Sequence, residues 1–220
     1  MAPRRIYLLL FVTNFLLICL PNISYGYDDK ETHPNLTFQA IVNSKLDYHL
    51  IDNLALSEGI KTALSNKKIW EWLQEGSKLE DSPDCRAASH FLNPLKDWDK
   101  AGVSDTNKTL LGFLVVNPGC FVLAPFSDRY SIRKYSDITW ATGFTSPSSE
   151  LTDTDNDMDW NAARNYYRLA LTASDNATRE GNFAKTFQTL GQVMHLLQDM
   201  AVPAHVRNDF SAQRLLEELS

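Results

Sequence analysis

Residues 180–205 read EGNFAKTFQTLGQVMHLLQDMAVPAH, a stretch that combines a clear helical pattern with several polar residues in an apolar context. The pattern predicts a long core helix over Asn182–Met200 that ends before Pro203, because proline lacks the backbone N–H that a helix interior needs. Its apolar stripe comprises Phe183, Phe187, Leu190, Met194 and Leu197. We expect this helix to lie at the centre of the fold.

The same helix carries two polar residues whose spacing places them on one face. His195 and Asp199 are four residues apart, so they lie about 40° apart around the helix axis and one turn apart along it. A buried carboxylate or imidazole without partners loses its hydrogen bonds to water. Taken alone, the pair is interpreted most simply as a hydrogen-bonded brace of the core. Part of a metal or catalytic site is the alternative.

Helical spacing recurs along most of the chain and predicts an all-α, multi-helical protein. The expected helices cover 35–44 with Thr32 as a cap, 65–76, one or two turns over 85–91, 158–174 and a polar segment over 207–219. In the helix over 158–174, the apolar stripe comprises Trp160, Ala163, Tyr167 and Leu171. Asp157, at the end of a loop rich in Ser, Thr and Asp, is the expected N-cap of this helix.

One segment departs from the helical pattern. Residues 109–126 read TLLGFLVVNPGCFVLAPF, and the β-branched residues around an Asn-Pro-Gly turn predict an inserted loop or short hairpin. Burial of this segment against the domain is favoured over contact with lipid. Residues 27–220 are long enough to bury one core, so we expect them to form a single domain.

The first 26 residues have the organisation of a secretory signal peptide. Arg4 and Arg5 precede an apolar run over 6–20, and Ser-Tyr-Gly at 24–26 offers a cleavage site. The run is shorter than the roughly 18–20 residues that a membrane-spanning helix needs. We therefore expect a cleaved signal peptide and a secreted or periplasmic protein.

Charge and cysteine content narrow the function further. Cleavage after Gly26 leaves 19 basic and 27 acidic side chains, a formal charge of −8, because residues 1–26 contain two arginines and no acid. This charge suits a nucleic-acid backbone poorly, and no nucleic-acid partner is expected. In an oxidising compartment Cys85 and Cys120 are able to pair, although the sequence does not decide whether they do. Two cysteines are too few for a four-thiolate metal site.

Histidines and carboxylates remain as candidate metal ligands. Four of the five histidines lie in apolar or tightly turned contexts: His33, His90, His195 and His205. His49 lies in the polar segment DYHLID and is ordinary. The acidic stretch EDSPD (80–84) precedes His90 and offers three carboxylates. Imidazoles and carboxylates without a thiolate set form the ligand combination that favours zinc in an exported protein.

Two segments resemble the zinc-dependent phospholipase C family, which shares its fold with the zinc-dependent single-strand nucleases. They are HFLNPLKDW (90–98), which follows the acidic stretch, and the H-x3-D-x5-H pattern within MHLLQDMAVPAH (194–205). The resemblance covers roughly residues 27–210, and the spacing of the late pattern is the more specific of the two. It implies an all-α fold and up to three zinc ions, bound by helices and by the mature amino-terminus.

The resemblance assigns the first zinc to His195, His90 and an upstream aspartate. Asp81 is the expected aspartate, although it lies closer to His90 along the chain than in the best-known members. In the family this carboxylate also accepts the proton of the attacking water, so Asp81 is the expected catalytic residue. The implied reaction hydrolyses phospholipids to diacylglycerol and a phosphorylated headgroup, with transient contact to a membrane surface and no covalent intermediate.

Asp199 is expected to bridge the first zinc to another ion, which His33 and the backbone of the mature first residue, Tyr27, would complete. Family members often begin with tryptophan, so tyrosine is a departure. His205 would begin the third site, but no histidine follows it in the 220 residues. Either the sequence is part of a longer protein or this zinc is missing, so two or fewer complete sites are expected. We expect a monomer.

Two alternatives to a phospholipase stay open. A nuclease of the same fold needs aromatic platforms beside basic residues. Trp98 and Trp140 are candidate platforms, but no basic cluster accompanies them. The missing ligands of the third site also leave open an inactive zinc-binding or interaction domain.

Overall fold

The computed structural model describes residues 31–82, 84–102, 135–144, 146 and 156–206, and this part of the chain is mostly helical. Its α-helices are α1 (Thr32–Val42), α2 (Leu46–Leu54), α3 (Ile69–Leu79), α4 (Asp137–Thr142), α5 (Trp160–Thr172), α6 (Asn176–Asp199) and α7 (Pro203–Val206). Short 3-10 turns cover Gly59–Lys61, Asp84–Ser89 and Trp98–Lys100. Two-residue strands, β1 (Ala63–Leu64) and β2 (Lys67–Lys68), pair antiparallel. The prediction of a mostly helical fold is confirmed.

Helices α3 and α6 form the centre of the described fold, and two glycines let their backbones approach closely. A Cβ atom on Gly76 would lie 1.8 Å from the carbonyl oxygen of Gln188. A Cβ atom on Gly191 would lie 2.0 Å from the carbonyl oxygen of Leu73. Backbone atoms within two packed helices cannot move aside, so only glycine fits at these positions. The close contact fixes how α6 sits against α3.

Apolar side chains from five helices and β1 surround this contact. The buried members of the cluster are Ile41, Leu50, Leu64, Ile69, Leu73, Ala170, Phe183, Ala184 and Phe187. Helix α2 adds one buried side chain, Leu50. The sequence analysis did not predict α2, although Leu46, Leu50 and Leu54 recur every four residues and pack on the apolar cluster.

The ends of several helices differ from the predictions. Helix α1 begins at Thr32, which the sequence had suggested as a cap, and Glu31 precedes it at the N-cap. The helix expected from residue 65 begins only at Ile69, because β1, β2 and the turn between them occupy 63–68. Asp157 does not cap α5. Asp159 does, and its carboxylate accepts the backbone N–H of Ala162 at 2.7 Å.

The predicted apolar stripes are correct only in part. On α6, Phe183 and Phe187 are buried, but Leu197 is 72% exposed. On α5, Ala163 is buried, whereas Trp160 and Leu171 are 44% and 54% exposed. A stripe read only from apolar residues misses a buried face that is partly polar, and this is the case at the carboxyl-terminal end of α6.

Several predictions concern residues outside the described ranges. These are the signal peptide over 1–26, Tyr27, the hairpin over 109–126 with Cys120, and the helix over 207–219. Among the described residues, no helix combines the length and apolar character that a bilayer crossing requires.

Candidate metal centre

Four histidines and two aspartates meet beside the carboxyl-terminal end of α6. We call them the His/Asp cluster, and its members are His33, Asp81, His90, His195, Asp199 and His205. His33 lies on α1, Asp81 in the turn after α3, and His90 directly after the 3-10 turn over Asp84–Ser89. His195 and Asp199 lie on α6, and His205 lies on α7. These are all the predicted site residues that the structure describes. His49, by contrast, is exposed on α2 and contacts Asn53.

Asp199 lies at the centre of the cluster and contacts all four histidines. Its Oδ2 is 2.9 Å from Nδ1 of His90 and 3.3 Å from Nε2 of His195. Its Oδ1 is 3.3 Å from Nδ1 of His205 and 3.5 Å from Nε2 of His33. The two oxygens therefore face two different pairs of imidazoles, which is the arrangement a carboxylate needs to bridge two cations.

Asp81 closes one side of the cluster. Its Oδ1 is 3.4 Å from Nδ1 of His90, and its Oδ2 is 3.4 Å from Nε2 of His195. The side chain of Asp81 is 21% exposed, whereas Asp199 is almost completely buried. Asp81 is thus the carboxylate of the cluster that solvent reaches most easily.

The spacing of the ligand atoms fits a small tetrahedral cation. Ligand atoms placed 2.0–2.2 Å from a zinc ion lie about 3.4 Å apart in tetrahedral geometry. The contacts among Asp81, His90, His195 and Asp199 span 2.9 to 3.4 Å. Two ligand groups share His195: one with His33 and Asp81, the other with His90 and Asp199. Each group supplies three ligand atoms within 4.8 Å of one another, and because the free Nε2 of His195 can bind only one cation, the two groups are alternative positions for it.

Hydrogen bonds to residues outside the cluster orient the imidazoles of His195 and His33. His195 donates its Nδ1–H to the carbonyl oxygen of Ser77 at 2.7 Å, which leaves Nε2 towards the cluster. His33 donates its Nδ1–H to Oε1 of Gln198 at 2.9 Å, and the amide of Gln198 in turn donates to Thr37 at 2.8 Å. A ligating histidine almost always donates its second N–H to such an acceptor, which fixes its tautomer and orientation.

Several polar atoms that face the cluster are buried without a hydrogen bond. They are Nε2 of His195, Nδ1 of His205 and Oδ2 of Asp199. Leaving such an atom unpaired costs roughly 1–3 kcal/mol, so native proteins rarely do it. All three are metal-ligating atoms, and a bound cation would satisfy them together. The donor set, the distances and the atoms without hydrogen bonds are thus those of a candidate metal centre.

The contacts within the cluster lower the pKa of its central carboxylate and raise the pKa of one of its imidazoles. Burial alone would raise the pKa of Asp199, but contacts with His195, His205 and His90 outweigh it and hold the pKa well below its usual range. Burial would lower the pKa of His90, yet Asp199 and Glu80 raise it well above its usual value. Without a metal, protons on imidazoles therefore balance the buried carboxylates.

The pKa of His33 shifts in the opposite direction. Burial and the positive charge of His195 lower it, and the attraction of Asp199 does not compensate. A neutral imidazole is the form that binds a metal, since the proton and the metal compete for the same lone pair. The lowered pKa of His33 therefore favours its ligating form.

Two buried carboxylates near the cluster were not predicted as part of it. Glu80 binds Arg86 and the indole of Trp140. Asp137 is buried, its Oδ2 has no hydrogen bond, and burial followed by repulsion from Asp199 raises its pKa well above its usual range. The signal for Glu80 was its place beside Asp81 with Arg86 six residues later. For Asp137 the sequence offers no such signal, because it follows the N-cap Ser136 and looks like an ordinary acidic residue in the first turn of α4.

Trp140, one of the two tryptophans suggested as platforms for nucleotide bases, is not accessible to a base. Trp140 is buried, and its Nε1–H donates to Glu80 at 2.8 Å. This removes one of the two aromatic candidates on which a nuclease interpretation relied.

Comparisons with known proteins add no assignment. No family model matches the chain, and no curated protein or solved structure matches it significantly. The functional interpretation therefore depends on the residues of the cluster and on their geometry.

Proposed function

We propose that this protein is an exported zinc-dependent phosphodiesterase of the phospholipase C type. The observation that carries the proposal is the largely buried cluster of four histidines and two aspartates, in which Nε2 of His195, Nδ1 of His205 and Oδ2 of Asp199 have no hydrogen bond. The resemblance of the H-x3-D-x5-H pattern to that family supplies the reaction, which releases diacylglycerol and a phosphorylated headgroup. The proposed protein is monomeric, is secreted or periplasmic, and contacts the membrane surface only while it binds substrate.

Bound zinc would lower the pKa of a coordinated water and stabilise negative charge on the phosphodiester oxygens. The residues of the chain contribute the remaining steps. Asp81, the more exposed carboxylate, accepts the proton of the attacking water. Asp199 contacts all four imidazoles through its two oxygens and would help them to hold the zinc. The outer bonds to Ser77 and Gln198 keep His195 and His33 from rotating.

Metal content is the first test of the proposal. The purified mature protein should carry zinc, which atomic emission measures. The His195→Ala variant should have a lower zinc content and a lower melting temperature. His49→Ala is the matched control, since that exposed histidine lies outside the cluster and should change neither. Equal zinc content in all three proteins would contradict the metal centre.

Substrate choice is the second test. We expect hydrolysis of phosphatidylcholine vesicles to diacylglycerol and no cleavage of single-stranded DNA. Cleavage of DNA but not of lipid would replace the phospholipase with a nuclease of the same fold. Bound zinc without either activity would indicate a zinc-binding domain that is not an enzyme.

A further inference from the structure

Behind His90, on the side away from Asp199, lies a carboxylate that is held rigidly. Glu80 is fully buried, and Arg86 places Nη2 at 3.0 Å and 2.8 Å from its two oxygens. The indole N–H of Trp140 donates to Oε1 of Glu80 at 2.8 Å. Arg86 also donates from Nε to the backbone carbonyl of Glu80 at 3.1 Å. The carboxylate therefore has one fixed position.

The surroundings of Trp140 hold this position further. The guanidinium of Arg86 lies over the indole ring of Trp140, 5.0 Å from its centre. Asn156 donates its amide N–H to the backbone carbonyl of Trp140 at 2.8 Å. The residues come from four different segments of the chain, so the carboxylate is held by tertiary structure and not by a local turn.

His90 lies between this carboxylate and the cluster. Its Nδ1 is 2.9 Å from Oδ2 of Asp199, whereas its Nε2 is 3.6 Å from Oε1 of Glu80. Nε2 is buried and makes no hydrogen bond at this distance. The only change needed to form one is a shift of His90 of a few tenths of an ångström towards Glu80, because hydrogen bonds of this kind end near 3.2 Å.

We propose that Glu80 is a positioning residue that accepts the Nε2–H of His90 and thereby directs Nδ1 of that histidine to the metal. The inference rests on the proposed metal centre. It makes His90 ligate through the nitrogen opposite to that of His195, which offers Nε2 because its Nδ1–H binds Ser77. The two histidines are thus fixed in opposite tautomers by two different acceptors, a carboxylate and a backbone carbonyl.

The alternative role for Glu80 is to neutralise Arg86, and a pair of variants separates the two roles. Glu80→Gln and Glu80→Met both leave Arg86 without its anion, and both side chains have the length of Glu. Only glutamine keeps an oxygen that can accept from His90. If Glu80 positions His90, methionine should weaken zinc binding by about 10- to 100-fold, and glutamine should restore most of that affinity. Equal losses in the two variants would overturn the inference.

The unmodified protein provides a test that does not depend on whether these variants fold. Zinc content is measured first, and then long-range proton–nitrogen NMR of histidine-labelled, zinc-loaded protein identifies the ligating nitrogen of each imidazole. We expect Nδ1 for His90 and Nε2 for His195. Bound zinc with His90 ligated through Nε2 would overturn this inference alone. Absence of bound zinc would overturn it together with the proposed function.

Discussion

Helix α6 meets the rest of the molecule through different chemistry in its apolar half, up to Gly191, and in its polar half, from His195 to Asp199. Around Phe183 and Phe187 the helix packs apolar side chains, and at Gly191 its backbone touches α3. One turn further on, it buries His195 and Asp199 with atoms that have no hydrogen-bond partner. The first half is complete as a folded structure. The second half leaves Nε2 of His195 and Oδ2 of Asp199 without a hydrogen bond, and this is where we propose that a cation binds.

The largest effect should come from the charge at the centre of the polar half. Asp199→Asn keeps the size of the side chain but removes the charge that faces four imidazoles, so we expect phosphodiesterase activity to fall by at least 10²- to 10³-fold. Zinc content per chain should fall too, because a bridging carboxylate holds two cations. Steady-state hydrolysis and atomic emission measure the two effects.

Asp175→Asn at the opposite end of α6 is the matched control. Asp175 caps the helix by accepting the backbone N–H of Thr178, and asparagine caps equally well. This variant should retain zinc and activity. A loss of only 10- to 100-fold in Asp199→Asn, with zinc retained, would show that Asp199 orients His195 without bridging.

The next effect concerns acid stability of the metal-free protein. Burial would raise the pKa of Glu80, but Arg86 and His90 lower it from 4.5 to about 2. A carboxyl group whose pKa is lowered by folding stabilises the folded state above its unfolded pKa. That contribution is lost as the pH falls through the window from 4.5 to 2. It amounts to something on the order of 3 kcal/mol.

Urea unfolding of the metal-free protein and of Glu80→Gln at several pH values measures this contribution. Below about pH 5.5 the gap between their free energies of unfolding should narrow towards pH 2, because the carboxyl group of Glu80 is protonated in this range and glutamine is not. A gap that does not change with pH would contradict the assignment.

A smaller effect is expected in the apolar half. Gly191→Ala adds a Cβ atom 2.0 Å from the carbonyl oxygen of Leu73 and 2.9 Å from the backbone nitrogen of Ser77. Overpacking of this kind typically costs about 1–3 kcal/mol of stability. Gly181→Ala in the same helix is the control, since nothing lies within 4 Å of its added Cβ atom. That variant should gain up to about 1 kcal/mol from helix propensity. Denaturant unfolding compares them, and equal stabilities would refute the close contact.

The smallest effect is expected at the exposed position of the predicted stripe. Leu197→Gln should change the free energy of unfolding by no more than about 0.5 kcal/mol, because the side chain already faces solvent. Leu196→Ala, one residue earlier and fully buried, should cost about 2–5 kcal/mol. The reverse order would mean that α6 is rotated from its position in the structure. Thermal melting of the two variants decides between these outcomes.

Local pattern was sufficient to predict α6 from Asn182 onwards, although not its first turns from Asn176, and to predict the inward orientation of His195 and Asp199. It was also sufficient to select His33, His90 and His205, because a histidine in an apolar context needs an unusual partner. Exposure along the helices could not be predicted in the same way. Leu197 is apolar but exposed because His195, Leu196 and Asp199 already occupy the buried face at that end of α6.

The residues that surround the cluster could not be predicted, because tertiary structure brings them together from distant parts of the sequence. Glu80 meets Trp140 across 60 residues and Arg86 meets Asn156 across 70 residues. No local spacing relates such residues, so the sequence predicted Asp81 as a ligand but not its neighbour Glu80 as a positioning residue. Asp137 reaches the same region because its backbone N–H bonds to the carbonyl of Phe91, next to His90.

The long sequence separations within the cluster have a consequence for the order of events in synthesis. His33 contacts Gln198 across 165 residues, and His195 contacts Ser77 across 118. A chain emerging amino-terminus first exposes His33, Asp81 and His90 to solvent well before α6 exists. Those three residues have neither Asp199 between them nor the α3–α6 contact to hold them in place. The nascent chain therefore cannot assemble the His/Asp cluster early, and the proposed metal would bind only after α6 has docked.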